Sequence, residues 1–173
     1  DARDFGLPQA RQRYFTVSVL GNEYFDFSNL IHTPMRNIKD FLESDVPEYY
    51  TVTQPSMLRR IDGLSDYNGS FKEYAMTITC KQMRSPNSGV VDLGNGKYRY
   101  LTERECWRIQ GYTDEDFDNA LKVHPGKKNC LNGALYKQAG NSIPVTIFES
   151  LFRKIILGET EKLEEQTGQL RFV

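Results

Sequence analysis

Two arginines set two apart, Arg11 and Arg13, follow Gln9 at the head of an aromatic and β-branched run, Tyr14-Phe15-Thr16-Val17-Ser18-Val19-Leu20. A guanidinium presents its N–H donors in a rigid plane, which suits a carbonyl or a phosphate. Fixed cationic donors also stabilise negative charge that builds up during a reaction. In a strand, residues two apart share a face, so both guanidinium groups would aim the same way. The plainer alternative is a pair of surface arginines at a strand start. A second candidate is Asn141-Ser142, just ahead of Pro144 and a long apolar helical pattern. Small polar side chains and free N–H groups at a helix start suit the polar atoms of a ligand. Simple helix capping is the alternative there. His32 and His124 have no ligand-like neighbours. The three cysteines, Cys80, Cys106 and Cys130, are odd in number and far apart, which suggests neither a disulfide framework nor a zinc site. Each reads as a small buried apolar residue.

The elements that would position these residues can be read in order. Tyr14–Leu20 predicts a strand ended by Gly21-Asn22 and buried on both faces, as in an α/β sheet. Asn37–Glu43 predicts a short helix, and 46–55 a loop. Met57–Gly69 is punctuated by Gly63, Asn68 and Gly69 and shows no helical period. Tyr74–Lys81 alternates as a strand does. Val90–Leu93 and Lys97–Tyr100 flank Asn95-Gly96, a strong hairpin signal. Gly94-x-Gly96-Lys97 lacks the spacing and the Ser or Thr of a phosphate-binding loop. Thr102 and Glu105 form a capping box for a helix that closes at Gly111. Arg104 and Arg108 lie on one face of that helix. Thr113 caps a further helix running to about Val123. Gly133–Ala139 reads as a short helix ended by Gly140. Asn141 or Ser142 would then cap the last one, through Val145, Phe148, Leu151, Phe152, Ile155 and Ile156.

The chain has 173 residues, 39% apolar and 26% charged, which is ordinary for a globular protein. No stretch approaches the ~20 apolar residues of a membrane span. The charged opening, Asp1-Ala2-Arg3-Asp4, shows no signal peptide and, lacking Met, reads as a boundary or a processed end. An intracellular chain is expected. The net charge of −1 argues against binding nucleic acid by bulk charge. The distribution is uneven: from Tyr74 to Thr102 four basic residues face one acid, whereas from Tyr14 to Ser56 two basic residues face six acids.

Three stretches, in this order, carry a resemblance. Pro8-Gln9-Ala10-Arg11-Gln12-Arg13 resembles the Pro-Gln-x-Arg-x-Arg segment of DNA (cytosine-5) methyltransferases, the eighth of their motifs. Arg99-Tyr100-Leu101-Thr102-Glu103-Arg104-Glu105, closing on Gln110-Gly111, resembles the ninth. Gln138-Ala139-Gly140-Asn141-Ser142-Ile143-Pro144-Val145 resembles the tenth. The family's methyl-donor loop, Pro-Cys nucleophile and Glu-Asn-Val segment precede the eighth motif and do not occur here.

The resemblance implies an α/β architecture: the C-terminal edge of a Rossmann-like S-adenosylmethionine-dependent methyltransferase fold plus an irregular, mostly β target-recognition domain. Its divisions would be 1–20, a strand edge of the catalytic domain; 21–98, the recognition domain; 99–130, organising helices; 131–158, a helix returning to the catalytic domain; and 159–173, a polar tail. The function implied is methyl transfer from S-adenosylmethionine to C5 of a cytosine flipped out of duplex DNA. A base must leave the stack for such chemistry. Arg13 would meet the cytosine carbonyl; Arg11 would support a backbone phosphate or the active-site loop, with Gln9 beside them. Asn141 and Ser142 would border the cofactor, which the missing N-terminal part would mainly bind. In the recognition domain, Lys81, Gln82, Arg84, Ser85, Asn87 and Ser88 form the most plausible reading loop, with Arg59 and Arg60 for phosphates. Arg99 and Arg104, with Arg108, would meet phosphate or hold the insert's backbone. The partners implied are double-stranded DNA and the N-terminal catalytic half, in the cytoplasm, the chain being bacterial or phage-encoded, and in a restriction–modification setting. The fragment alone would not methylate. Two other readings stay open: a stand-alone DNA-binding module, and an unrelated α+β interaction domain that shares short motifs by chance.

Overall fold

A computed structural model describes residues 1–21, 25–62, 73–83 and 88–158. In chain order its regular elements are β1 (Gln9–Ala10), α1 (Pro55–Asp62), β2 (Ala75–Met76), β3 (Val91–Gly94), β4 (Lys97–Arg99), α2 (Glu103–Ile109), α3 (Asp114–Val123), α4 (Gly133–Asn141) and α5 (Val145–Phe152). Single 3-10 turns lie at Ala2–Asp4, Ile38–Phe41 and Glu48–Tyr50, and a π-turn at Arg153–Leu157 extends α5. β1 pairs parallel with β2, Gln9 opposite Ala75. β3 and β4 form an antiparallel hairpin, Val91 opposite Arg99, with an irregularity between Asp92 and Gly94.

The hairpin forms where Asn95-Gly96 predicts it, both residues having positive φ (53° and 71°). The helix after it is bounded as its sequence requires. Thr102 accepts from Glu105 N–H at 3.1 Å, Glu105 accepts from Thr102 N–H at 2.8 Å, and Gly111 adopts φ 91°. Cys106, Trp107 and Ile109 face the main core, where Leu101, Leu135, Tyr136, Ala139 and Ile147 meet them. Trp107 donates its indole N–H to Leu135 O at 3.1 Å. That core also draws Ala2, Phe5 and Leu7 from the first segment and Leu30, Ile38, Phe41, Ala75 and Ile78 from residues 30–78. A second cluster joins Tyr50, Val52, Met57, Val90 and Tyr100.

Four expectations change. Tyr14–Leu20 is not a strand: no described segment pairs with it, and Tyr14 and Leu20 stand fully exposed. A strand exists only with a neighbour to complete its hydrogen bonds, so an apolar run without one stays extended and open. Phe15 still packs, edge to face on Phe148 at 5.4 Å. Second, α1 occupies the start of the stretch read as aperiodic. Pro55 opens it, where its missing N–H costs nothing, and Met57, Leu58 and Ile61 turn toward the second cluster; residues 63–69 of that stretch lie outside the described residues. Third, the strand expected over Tyr74–Lys81 is two residues long, because Ile78 takes its backbone partners from side chains. Fourth, Gly140 lies inside α4 rather than ending it, and α5 is preceded by Pro144 with no side-chain cap.

One ion pair is buried on both sides. Arg99 donates to both oxygens of Glu105 at 2.8 Å, the two side chains being 7% and 0% exposed. The same carboxylate accepts from Glu43 N–H at 2.8 Å. Removing one partner of a buried ion pair leaves the other charge uncompensated, which typically costs about 3–5 kcal/mol. Arg99→Met is therefore expected to lower unfolding stability by about 3–5 kcal/mol, measured by urea denaturation with an unchanged slope.

Candidate nucleic-acid and cofactor interface

Gln9 and Arg11 leave β1 side by side and both turn inward. Gln9 is fully buried. Its Oε1 accepts from Ile78 N–H at 2.8 Å, and its Nε2 donates to Gln110 Oε1 at 3.3 Å and Ile109 O at 3.4 Å. Gln110 in turn donates to Ala139 O at 2.7 Å. Arg11 is buried and donates to Ile78 O at 2.8 Å, Ser142 O at 2.9 Å and Gly140 O at 3.3 Å. Burial, and secondarily Arg13, pulls its pKa down to about 10, so the group stays charged at neutral pH. Arg13 is exposed, and its hydrogen bond goes to the neighbouring Gln12 O at 2.6 Å. The expectation that both arginines share one face is corrected: residues 11–13 are not in a strand, and the two side chains part. Arg11 is turned away from any outside phosphate: its two terminal nitrogens donate to carbonyls, and its Nε is buried without a partner. Arg13 alone is open to an outside acceptor.

Asn141 and Ser142 close α4 instead of opening α5. The Ser142 hydroxyl donates back to Ala139 O at 2.7 Å. The first amide of α5, Val145 N–H, donates to Gln110 O at 2.9 Å. The free N–H groups expected at a helix start are therefore not what these residues present. They form one wall of a groove of about 850 Å³ whose floor is Val145, Phe148 and Phe152. The groove runs onto a strongly apolar surface, with Ile143, Phe152, Ile155, Ile156 and Leu157 all exposed.

The reading loop divides. Lys81 is exposed at a turn. Gln82 is buried, donating to the Ser88 hydroxyl and accepting from Thr79 N–H at 3.4 Å, and Ser88 is buried with it. Their polar atoms are spent on each other and on Thr79, so neither Gln82 nor Ser88 is open to a DNA edge. Arg84, Ser85 and Asn87 lie outside the described residues, as does the side chain of Arg60. Arg59 is exposed on α1. Arg99 is the buried partner of Glu105 and cannot meet phosphate. Arg104 is half-buried over the Phe117 ring and pairs with Asp118 at 2.7 Å and Glu43 at 3.4 Å. Arg108 pairs with Asp114 at 2.7 Å. Both helix arginines hold neighbouring segments. Cys106 is buried, with its thiol pushed well above the ordinary range by that burial. Cys80 and Cys130 are exposed, against the expectation that all three are buried, because each sits in a turn at the surface.

Residues 49–157 match the family described as C-5 cytosine-specific DNA methylase. The chain belongs to this family. Among curated methylases it is 36% identical over 163 residues to the type II methyltransferase M2.ScrFI of Lactococcus lactis subsp. cremoris, covering 90% of this chain and 43% of that one. It is 31% identical over 173 residues to the type II methyltransferase M.DsaV of Dactylococcopsis salina, covering 90% and 45%. A shorter match, 50% identical over 60 residues, covers 35% of this chain and 11% of the orphan methyltransferase M.Rho11sI of Bacillus phage rho11s. Among solved structures, the S. pombe Dnmt2 methyltransferase superposes with a TM-score of 0.61 at 15% identity, over 91% of this chain and 55% of that one. The Entamoeba histolytica methyltransferase EhMeth gives 0.57 at 16%, over 91% and 52%. The fold is thus the α/β methyltransferase fold, and the chain spans under half the length of the two curated methylases it matches over 90% of its length. No described helix is long and apolar enough to cross a membrane.

Within this methylase segment, sequence reasoning missed Glu103, a buried carboxylate at the first turn of α2. It accepts from the Tyr50 hydroxyl of the insert and from Asn132 N–H, the N-cap of α4. Burial outweighs these donors and raises its pKa; the Tyr50 hydroxyl is pushed up in turn, by burial first and then by Glu103. The signal available was a glutamate at a helix start, which reads as a favourable surface charge and hides its burial. A carboxyl whose pKa is higher folded than unfolded adds stability below the unfolded pKa and loses it as pH rises through the folded value. Glu103→Gln removes that dependence. The melting temperature of Glu103→Gln is expected to gain on the unsubstituted chain as pH rises from 4 to 7, followed by circular dichroism.

Proposed function

We propose that this chain is the DNA-recognising C-terminal portion of a DNA (cytosine-5) methyltransferase. The complete enzyme would transfer a methyl group from S-adenosylmethionine to C5 of a flipped-out cytosine within a specific duplex site, in a bacterial or phage-infected cytoplasm. The observation that carries this reading is a run of two hydrogen bonds. Gln9 Nε2 reaches Gln110 Oε1 at 3.3 Å, and Gln110 Nε2 reaches Ala139 O at 2.7 Å. These residues belong to the three stretches that resemble the eighth, ninth and tenth family motifs. Residues 101 apart in the chain are joined side chain to side chain, which chance similarity of short motifs does not explain.

In this reading the nucleophilic cysteine comes from the N-terminal catalytic half. Its attack on the ring builds negative charge on the pyrimidine, and Arg13 meets that charge at the cytosine carbonyl. Exposure suits Arg13 to this role, since its fork is not committed to the chain's own buried groups. Asn141 and Ser142 fit a polar, partly apolar cofactor: they give the groove a polar rim above the Phe148 floor. The bound S-adenosylmethionine would supply the methyl group. The apolar surface from Ile143 to Leu157 would seat the catalytic half. Between residues 21 and 98, the exposed Lys81 and Arg59 are open to DNA, and Arg84, Ser85 and Asn87 keep the role that the resemblance gives them.

Mixing the chain with the catalytic half, S-adenosylmethionine and cytosine-containing duplexes is expected to restore methylation. In that mixture Arg13→Ala is expected to lower kcat by about 100- to 1,000-fold, the usual effect of losing one charge-stabilising donor, with an unchanged unfolding midpoint. Unchanged turnover would remove the role given to Arg13. A folded mixture that binds duplex DNA but methylates none would leave a stand-alone DNA-binding module in its place.

A further inference from the structure

Arg11 has the type and neighbourhood of a substrate contact but the surroundings of a fastener. Its three polar contacts are all backbone carbonyls, and they come from two segments far apart in sequence: Ile78 in the insert, and Gly140 and Ser142 at the end of α4. The carbonyls of a helix's last turn lack intrahelical partners and carry partial negative charge. A cation there satisfies them, as a C-terminal cap would. Ile78 is gripped on both its peptide groups, its N–H by Gln9 and its C=O by Arg11. Gly140 completes the junction. A Cβ built there would lie 2.1 Å from Cys80 N and 2.2 Å from Thr79 C, so only glycine lets the two backbones touch. The glycine expected to end a helix is a contact point between segments.

We propose that Arg11, together with Gly140, is a positioning device that locks the Ile78–Cys80 segment of the recognition insert onto the Gly140–Ser142 turn, so that the seating of the insert sets the geometry of the cofactor's border. This deepens the function proposed above and rests on it. Arg11 is then a positioning residue and not a catalytic one. Its guanidinium is buried, and both of its terminal nitrogens are spent on carbonyls, so it has no fork left for a reacting base. Displacing either segment moves the other, because one planar group holds both. The turn that moves carries Asn141 and Ser142, the groove's polar rim.

The test uses the chain joined to its catalytic half. Arg11→Gln is expected to raise the KM for S-adenosylmethionine about tenfold, the scale of losing one hydrogen bond to a charged group, while kcat and the KM for DNA change less than about threefold. Gly140→Ala, which removes no charge, is expected to show the same split. A fall in kcat with an unchanged KM for S-adenosylmethionine would overturn the proposal and return Arg11 to the reacting base. A rise in the KM for DNA alone would also overturn it. A second measurement uses the same joined protein and needs no turnover. By amide hydrogen exchange, Arg11→Gln is expected to speed exchange at both Ile78 and Ser142 while α3 stays protected. Faster exchange in one segment only would refute the coupling. If Arg11→Gln and Gly140→Ala do not fold, Arg11→Lys keeps the charge but not the planar fork, and joint or separate exchange at the two sites decides in the same way. A mixture that never methylates, with joint exchange intact, would fail the proposed function and leave the junction standing.

Discussion

Glu105 has no exposed surface, and its carboxylate must therefore be matched from within the protein. It is matched four times: twice by the Arg99 fork, once by Thr102 N–H and once by Glu43 N–H. Those partners come from the hairpin, from the helix's own cap and from the end of the turn at Ile38–Phe41. One buried charge thereby fixes the entry of α2 against the hairpin and against the segment that follows Phe41. With that end fixed, Trp107 and Ile109 point into the core, and Gln110 reaches both Gln9 and Ala139. A charge in this position is worth less as net stability than as a constraint on arrangement, since desolvation offsets much of its attraction.

Local signals in the sequence were sufficient where a few neighbouring residues settle the outcome. The hairpin at Asn95-Gly96, the capping box at Thr102, the N-cap at Thr113 and the closing Gly111 all follow from chemistry within one turn of chain. Legibility failed where a distant segment decides. Tyr14–Leu20 has the composition of a strand, but a strand is a property of a pair. Gly140 has the look of a helix stop, but its job is set by Cys80, sixty residues earlier. Ile78 sits in a strand pattern whose hydrogen bonds are taken by Gln9 and Arg11.

The candidate site shows the same division. Residue types marked Gln9, Arg11 and Arg13 together, and spacing gave them one face. The coordinates separate them into two buried fasteners and one open donor. Gln82 and Arg99 carry groups that suit DNA, yet both are consumed inside the fold. Burial cannot be read from a polar residue type, because the same side chain serves as a surface contact or as the partner of a buried group. Glu103 is the converse case: a residue that passes for a solvated helix-start charge is a junction between Tyr50 and Asn132.

The exposed apolar ridge around α5 has a practical side. Phe152 closes α5, and Ile155, Ile156 and Leu157 follow it in the π-turn, all of them exposed, as is Ile143. Apolar surface gathered in this way is sticky in water. In dilute buffer the chain therefore faces competition between staying dispersed and clumping through this ridge. It should associate at lower concentration than its net charge of −1 and its ordinary composition would suggest.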